Sequence, residues 1–97
     1  MAIIAISRFK GAGAYGALAR QSAVLLKKHG ALSVQVGRCQ SGSYAGEIVV
    51  ATTFADWEAF GRGMQAITAD PAWRKLYGEF TRAFTLTDRS IVVAEEY

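Results

Sequence analysis

The stretch that most constrains this chain runs from Gly46 to Trp73 (G-E-I-V-V-A-T-T-F-A-D-W-E-A-F-G-R-G-M-Q-A-I-T-A-D-P-A-W). Its first part, Glu47 to Phe54, is rich in β-branched residues and alternates with the period of a strand. Ile48, Val50 and Phe54 fall on one face, and Val49, Ala51 and Thr53 on the other. Its second part sets Trp57, Phe60, Met64 and Ile67 on one stripe at helical spacing. Asp56 and Glu58 lie in the first turn of that helix, where negative charge meets the positive end of the dipole. Asp70 can then cap a second helix with Pro71 at its first position. This second helix aligns Trp73, Leu76, Tyr77 and Phe80. A strand that passes directly into a broken amphipathic helix needs neighbouring strands to pair with and a sheet face to cover.

The rest of the chain supplies both. Ala2 to Phe9 (A-I-I-A-I-S-R-F) is apolar on both alternating faces, as in a strand covered on two sides. Lys10 to Gly13 forms a loop. Ala14 to His29 carries Tyr15, Leu18, Ser22, Leu25 and Leu26 on one helical stripe. Lys27, Lys28 and His29 close this helix, and Gly30 can take the left-handed turn that ends it. Ala31 to Gln40 alternates Leu32, Val34 and Val36 against Ser33, Gln35 and Gly37. Ser41 to Gly46 reads as the hairpin loop that joins it to the central stretch. Arg89 to Glu95 reads as the last strand, while Thr81 to Asp88 fits either an extra edge strand or a loop. The order is β-α-β-β-α-β with the second helix in two pieces. It predicts one ferredoxin-like α+β domain over residues 1–97, with an antiparallel four-stranded sheet and helices on one face.

Composition adds a constraint on assembly. The chain has 97 residues, of which 52% are hydrophobic. A chain this short buries only about two thirds of its unfolded surface. The apolar excess therefore predicts burial against a second subunit, most simply in a two-fold homodimer. The net charge is +3, but the basic residues are dispersed and do not interleave with aromatics, so no nucleic acid is expected. Cys39 is the one cysteine, which excludes an internal disulfide and suits a reducing compartment. The first apolar run, Ala2 to Ile6, is too short for a secretory leader, and no run approaches the ~18 residues of a membrane span. A cytoplasmic protein without membrane contact is expected.

The candidate binding residues are aromatic or polar. Tyr15, Trp57, Phe60, Met64, Trp73, Tyr77 and Phe80 could wall a cleft for a flat apolar ligand, or simply pack as core. Trp73 and Tyr77 rank first, because they sit one turn apart and each has a polar atom that needs a partner when buried. Ser33 and Gln35, with Thr53, could offer hydrogen bonds inside a cavity or line a dimer interface. His29 reads as a solvated helix end. Cys39 follows Arg38, but adjacent strand residues point to opposite faces, so the thiol gains no activating cation. Arg8 and Arg38 could hold an anion or pair with Glu47, Glu95 or Glu96. One His and one Cys cannot make a zinc site. G-A-G-A-Y-G (Gly11 to Gly16) has the wrong spacing for a dinucleotide loop. Neither metal nor cofactor is expected.

Three segments carry a family resemblance: K-K-H-G-A, G-E-I-V-V-A-T-T-F-A-D-W-E-A-F and D-P-A-W-R-K-L. Together they resemble the dimeric α+β-barrel superfamily, and within it an uncharacterised stand-alone branch. The resemblance implies a homodimer whose two sheets form a barrel, with a cleft between sheet and helices in each protomer. Its members include cofactor-independent monooxygenases acting on polycyclic phenols, haem-degrading oxygenases and lactone isomerases. The haem-degrading pattern is not met: Trp57 could stand for its Trp, but the first strand has no Asn and no His follows His29. No His/Glu pair suits an isomerase. The leading expectation is a homodimer with a cleft for a small apolar molecule. One alternative is a cofactor-independent monooxygenase in which Trp57, Trp73 and Tyr77 position an aromatic ring. Another is a non-catalytic structural or protein-interaction domain.

Overall fold

The computed structural model describes residues 1–97. The elements are β1 (Ile3–Lys10), α1 (Gly16–Lys28), β2 (Ser33–Arg38), β3 (Ile48–Phe54), α2 (Trp57–Ala69), α3 (Pro71–Ala83) and β4 (Thr85–Val93). The four strands form one sheet in the order β2-β3-β1-β4, with every neighbouring pair antiparallel. This is the ferredoxin-like α+β arrangement. The helix starts follow from the sequence. Asp56 caps α2 by accepting from the Ala59 N–H at 2.8 Å, and Asp70 caps α3 by accepting from Ala72 N–H at 2.9 Å, with Pro71 at its start.

The segment left open between 81 and 88 divides. Helix α3 continues to Ala83, Phe84 is buried at the junction, and β4 starts at Thr85, four residues before the expected start at Arg89. A register shift opposite Arg8 and Phe9 explains why the strand was hidden. The bulge breaks the two-residue period around Thr87, whose Oγ1 lies 3.1 Å from the Arg8 carbonyl oxygen.

Register and alternation assign the two sheet faces. On the helix-covered face lie Ile3, Ala5, Ser7 and Phe9 of β1; Ile48, Val50, Thr52 and Phe54 of β3; Val34 and Val36 of β2; and Arg89 and Ile91 of β4. The opposite, open face carries Ile4, Ile6 and Arg8 of β1 and Val49, Ala51 and Thr53 of β3 in its middle, with Ser33 and Gln35 at the β2 edge and Ser90 and Val92 at the β4 edge.

The core is split in two. Phe9, Ile48, Phe80 and Phe84 form one cluster, and Leu26, Ala31, Phe54 and Ile67 the other. In the second, α2 approaches β3 closely enough that a Cβ on Gly63 would lie 2.7 Å from Phe54 Cε1 and 2.8 Å from the His29 carbonyl oxygen. The carbonyl is backbone and cannot step aside. Gly63→Ala is therefore expected to destabilise by about 1–3 kcal/mol through overpacking. Gly61, on the same helix with nothing within 4 Å of its Cβ position, should gain about 0.5–1 kcal/mol on the same substitution. Urea unfolding of the two variants reads the contrast.

Candidate functional site

Large side chains at both ends of the sandwich hold the layers apart, and small ones in the middle fail to fill the gap. Between Ile3 and Phe9, β1 presents Ala5 and Ser7; between Ile48 and Phe54, β3 presents Val50 and Thr52. Opposite them, α1 offers Ala19 and Ser22, and α3 offers Gly78. The result is a cavity of about 500 Å³ between the sheet and all three helices, flanked by the two core clusters. That volume lies within the ~300–1,000 Å³ of small-molecule sites.

The helical wall is apolar and largely aromatic: Phe60, Met64 and Ile67 come from α2, and Trp73, Tyr77 and Phe80 from α3. The Trp73 and Tyr77 rings stack at 5.8 Å between centroids and 25° between planes. Phe60 meets Phe54 edge-on at 5.5 Å. Two guanidinium groups interrupt this apolar lining. Arg89, on the inner side of β4, donates from Nε to Ser7 Oγ at 3.3 Å. Arg74 of α3 donates from Nε to the Thr68 carbonyl at 3.0 Å. The ion pairs of the structure, Lys28–Asp70, His29–Asp70 and Arg62–Glu58, involve neither arginine, and no lining residue is acidic. The cavity is thus apolar with uncompensated positive charge.

Of the residues proposed from sequence, Phe60, Met64, Trp73, Tyr77 and Phe80 line the cavity; Tyr15, Ser33, Gln35, Thr53 and Trp57 do not. Tyr15 precedes α1, packs on the Phe9 cluster and lies under the Arg38 guanidinium, 5.3 Å from its ring centroid. Trp57 is 57% exposed, because it sits at the N-terminus of α2 and meets Phe60 edge-on from outside. Ser33 and Gln35 belong to the open face, since the cavity formed on the bulky side of β2 where Val36 points. Sequence reasoning passed over Ser7, Thr52, Arg74 and Arg89. Arg89 was the accessible one: counting back by two from Ile91 puts its side chain on the inner face.

The remaining polar candidates have local structural roles. Arg38 donates to the Gly46 carbonyl at 2.8 Å and reaches the Gly11 and Gly13 carbonyls at 3.4 Å, so it ties the β1–α1 loop to the hairpin rather than pairing with an acid. Arg8 lies 4.2 Å over the Tyr44 ring. Glu47 is buried and accepts from the Thr87 hydroxyl. Cys39 Sγ donates to the Ser41 carbonyl at 3.1 Å.

His29 is a correction. It is not a solvated helix end, because its Nε2 donates to Asp70 Oδ2 at 2.8 Å with both side chains largely covered. The fold brings the end of α1 onto the α2–α3 junction, and sequence separation concealed this. That hydrogen bond, then the Ala72 N–H, then nearby Lys28 hold the Asp70 carboxyl below its ordinary value of 3.8. A carboxyl lowered in the folded state stabilises the protein fully above its unfolded value, and that contribution is lost as pH falls through the folded one. Asp70→Asn should therefore be less stable than the native protein near neutrality, with the gap closing below pH 3.8. Urea midpoints measured from pH 7 downwards test the sign.

No three His, Cys, Asp or Glu side chains cluster as a metal site would require, and no helix is long and apolar enough to cross a membrane. Sheet order and helix placement define a ferredoxin-like α+β protein. The chain belongs to the family described as a domain of unknown function, DUF6854, whose model matches residues 5–93. No curated protein matches it. Among solved structures it is similar to SnoaB, a cofactor-independent oxygenase from Streptomyces nogalater, at 16% identity and a TM-score of 0.74, covering 99% of this chain and 95% of that one. It is similar to an uncharacterized NIPSNAP domain protein from Burkholderia xenovorans, at 10% identity and a TM-score of 0.76, covering 98% and 96%. A nipsnap family protein with unknown function from Agrobacterium tumefaciens is 14% identical with a TM-score of 0.69, covering 94% and 86%. At these identities the likeness establishes the fold.

Proposed function

We propose that the protein is a homodimer that binds, in the cavity of each protomer, a small and mostly apolar molecule carrying one anionic group. The observation that carries this reading is Arg89: a guanidinium on the wall of an apolar cavity, held by Ser7 and without a carboxylate partner. A carboxylate or phenolate would satisfy its free donors with charge-assisted bonds. Phe60, Met64, Trp73 and Tyr77 would hold the apolar body. An open cavity favours a ligand over the alternative of a purely structural or interaction domain.

The second subunit follows from the open sheet face. Ile4, Ile6, Val49 and Val92 sit together there, and Val92 is 42% exposed. A second copy is the partner that the apolar excess calls for. Native mass spectrometry combined with a titration of 2-naphthoate, followed by indole fluorescence, tests both halves. The expected result is a dimer with saturable quenching or shift. A monomer at micromolar concentration overturns the assembly, and an absence of saturable binding overturns the ligand class.

A second reading is cofactor-independent oxygenation of an aromatic substrate, favoured by the stacked Trp73–Tyr77 pair and by the likeness to SnoaB. The bound phenolate itself would supply electrons to dioxygen. One oxygen atom would enter the substrate and the other would leave as water, taking one proton from the oxidised substrate carbon and one from solvent in place of the proton lost when the phenol ionised. The protein would contribute desolvation and positioning. Oxygen uptake with acidic phenols and quinols that bind the cavity tests it; binding without uptake removes oxygenation and leaves ligand binding.

A further inference from the structure

The exposed members of the cavity lining mark its mouth. They are Thr68, Arg74, Gly78, Arg89 and Ile91; the sheet and helix residues behind them are covered. Arg74 and Gly78 are one turn apart on α3, whereas Arg89 and Ile91 share the inner face of β4. All nine residues of β4 are exposed, and it is an edge strand, so no helix closes the cavity along it. The way in is the gap between α3 and β4.

Gly78 stands at that gap without a local reason to be glycine. It lies in the middle of a thirteen-residue helix. Its φ is not positive, and no atom lies within 4 Å of its Cβ position. Glycine inside a helix costs stability relative to alanine, because it adds backbone freedom to the unfolded chain. Gly63, by contrast, is required by Phe54 and the His29 carbonyl, and Gly11 by a positive φ and Phe84. Gly61 resembles Gly78 in its steric freedom but is not part of the cavity lining.

We infer that Gly78 sets the width of the cavity mouth and hence the cross-section of ligand the protein admits. The inference rests on the proposed ligand-binding reading for its use, but the mouth can be tested without any ligand. In a Trp57→Phe background, Trp73 is the remaining indole, and it lines the cavity. Acrylamide, a small neutral quencher, then reports access through the mouth. Gly78→Leu should remove most of the Trp73 quenching, Gly78→Ala should remove little, and Gly61→Leu none. Equal urea midpoints or higher ones establish that the variants are folded. Undiminished quenching in a folded Gly78→Leu overturns the inference, as does an equal loss in Gly61→Leu.

A parallel titration separates this inference from the reading beneath it. Gly78→Leu should weaken binding of anilinonaphthalene sulfonate, a broad anionic probe, more than that of benzoate, a narrow one. Loss of quenching together with no binding of either probe by the native protein would retain the mouth and refute the ligand class. Equal weakening for both probes would overturn the size-selecting role.

Discussion

Phe54→Ala is expected to lower the free energy of unfolding by about 3–5 kcal/mol, the range for removing a buried phenyl ring and leaving the space unfilled. Phe54 is 1% exposed and anchors the cluster formed with Leu26, Ala31 and Ile67. Its neighbours cannot relax into the hole: Phe60 meets it edge-on, and α2 is already at closest approach through Gly63. Because a domain has only about 5–15 kcal/mol in total, the loss is a large share. Tyr77→Ala on the cavity wall should cost less, since that ring already faces empty space on one side. Urea unfolding with an unchanged m value reads both. Equal losses at the two positions would contradict the division into packed ends and an unfilled middle.

That division also explains how much of the site was legible beforehand. The stripe Phe60–Met64 and the pair Trp73–Tyr77 could be read from helical spacing, because spacing alone decides which side of a helix faces the sheet. The sheet faces could be read too, but not which of them the helices would cover at the cavity. Ser33 and Gln35 are small and polar, which suits a ligand as well as an open surface, and alternation does not distinguish the two. In fact the cavity arose on the bulky side, where Ala5, Ser7 and Thr52 fall between larger neighbours. That pattern involves residues nearly fifty positions apart, and only the β1–β3 register brings it together. The His29–Asp70 bond was hidden for the same reason. The early start of β4 was hidden differently, by a bulge that disrupts the period on which strand reading depends.

Cavity shape and cavity charge make separate demands on a ligand. The stacked Trp73–Tyr77 pair and the thioether of Met64 ask only for apolar, polarisable surface. They would accept many molecules, and affinity gained there carries little selectivity. On the proposed reading Arg89 would take an anion at a fixed place on β4, where Ser7 Oγ accepts from the guanidinium. Selection between an acid and its neutral analogue should therefore reside in this one residue, and selection by size in the neighbouring Gly78.

Arg89→Met is accordingly expected to reduce affinity for 2-naphthoate about tenfold to a hundredfold, the equivalent of the ~1.5–3 kcal/mol assigned to a hydrogen bond with a charged group. Methionine keeps the apolar stem, so binding of neutral 2-naphthamide should be unchanged. Because Arg89 is exposed at the rim, the effect should shrink as salt rises and screens the pair. Arg89→Lys should restore part of the affinity, since a point charge replaces the planar fork but cannot bond bidentately. Titrations of acid and amide at two salt concentrations separate the outcomes. Equal losses for acid and amide would mean that Arg89 shapes the cavity rather than recognising charge. An unchanged acid affinity would place the anion elsewhere and leave Arg89 as a partner for Ser7 alone.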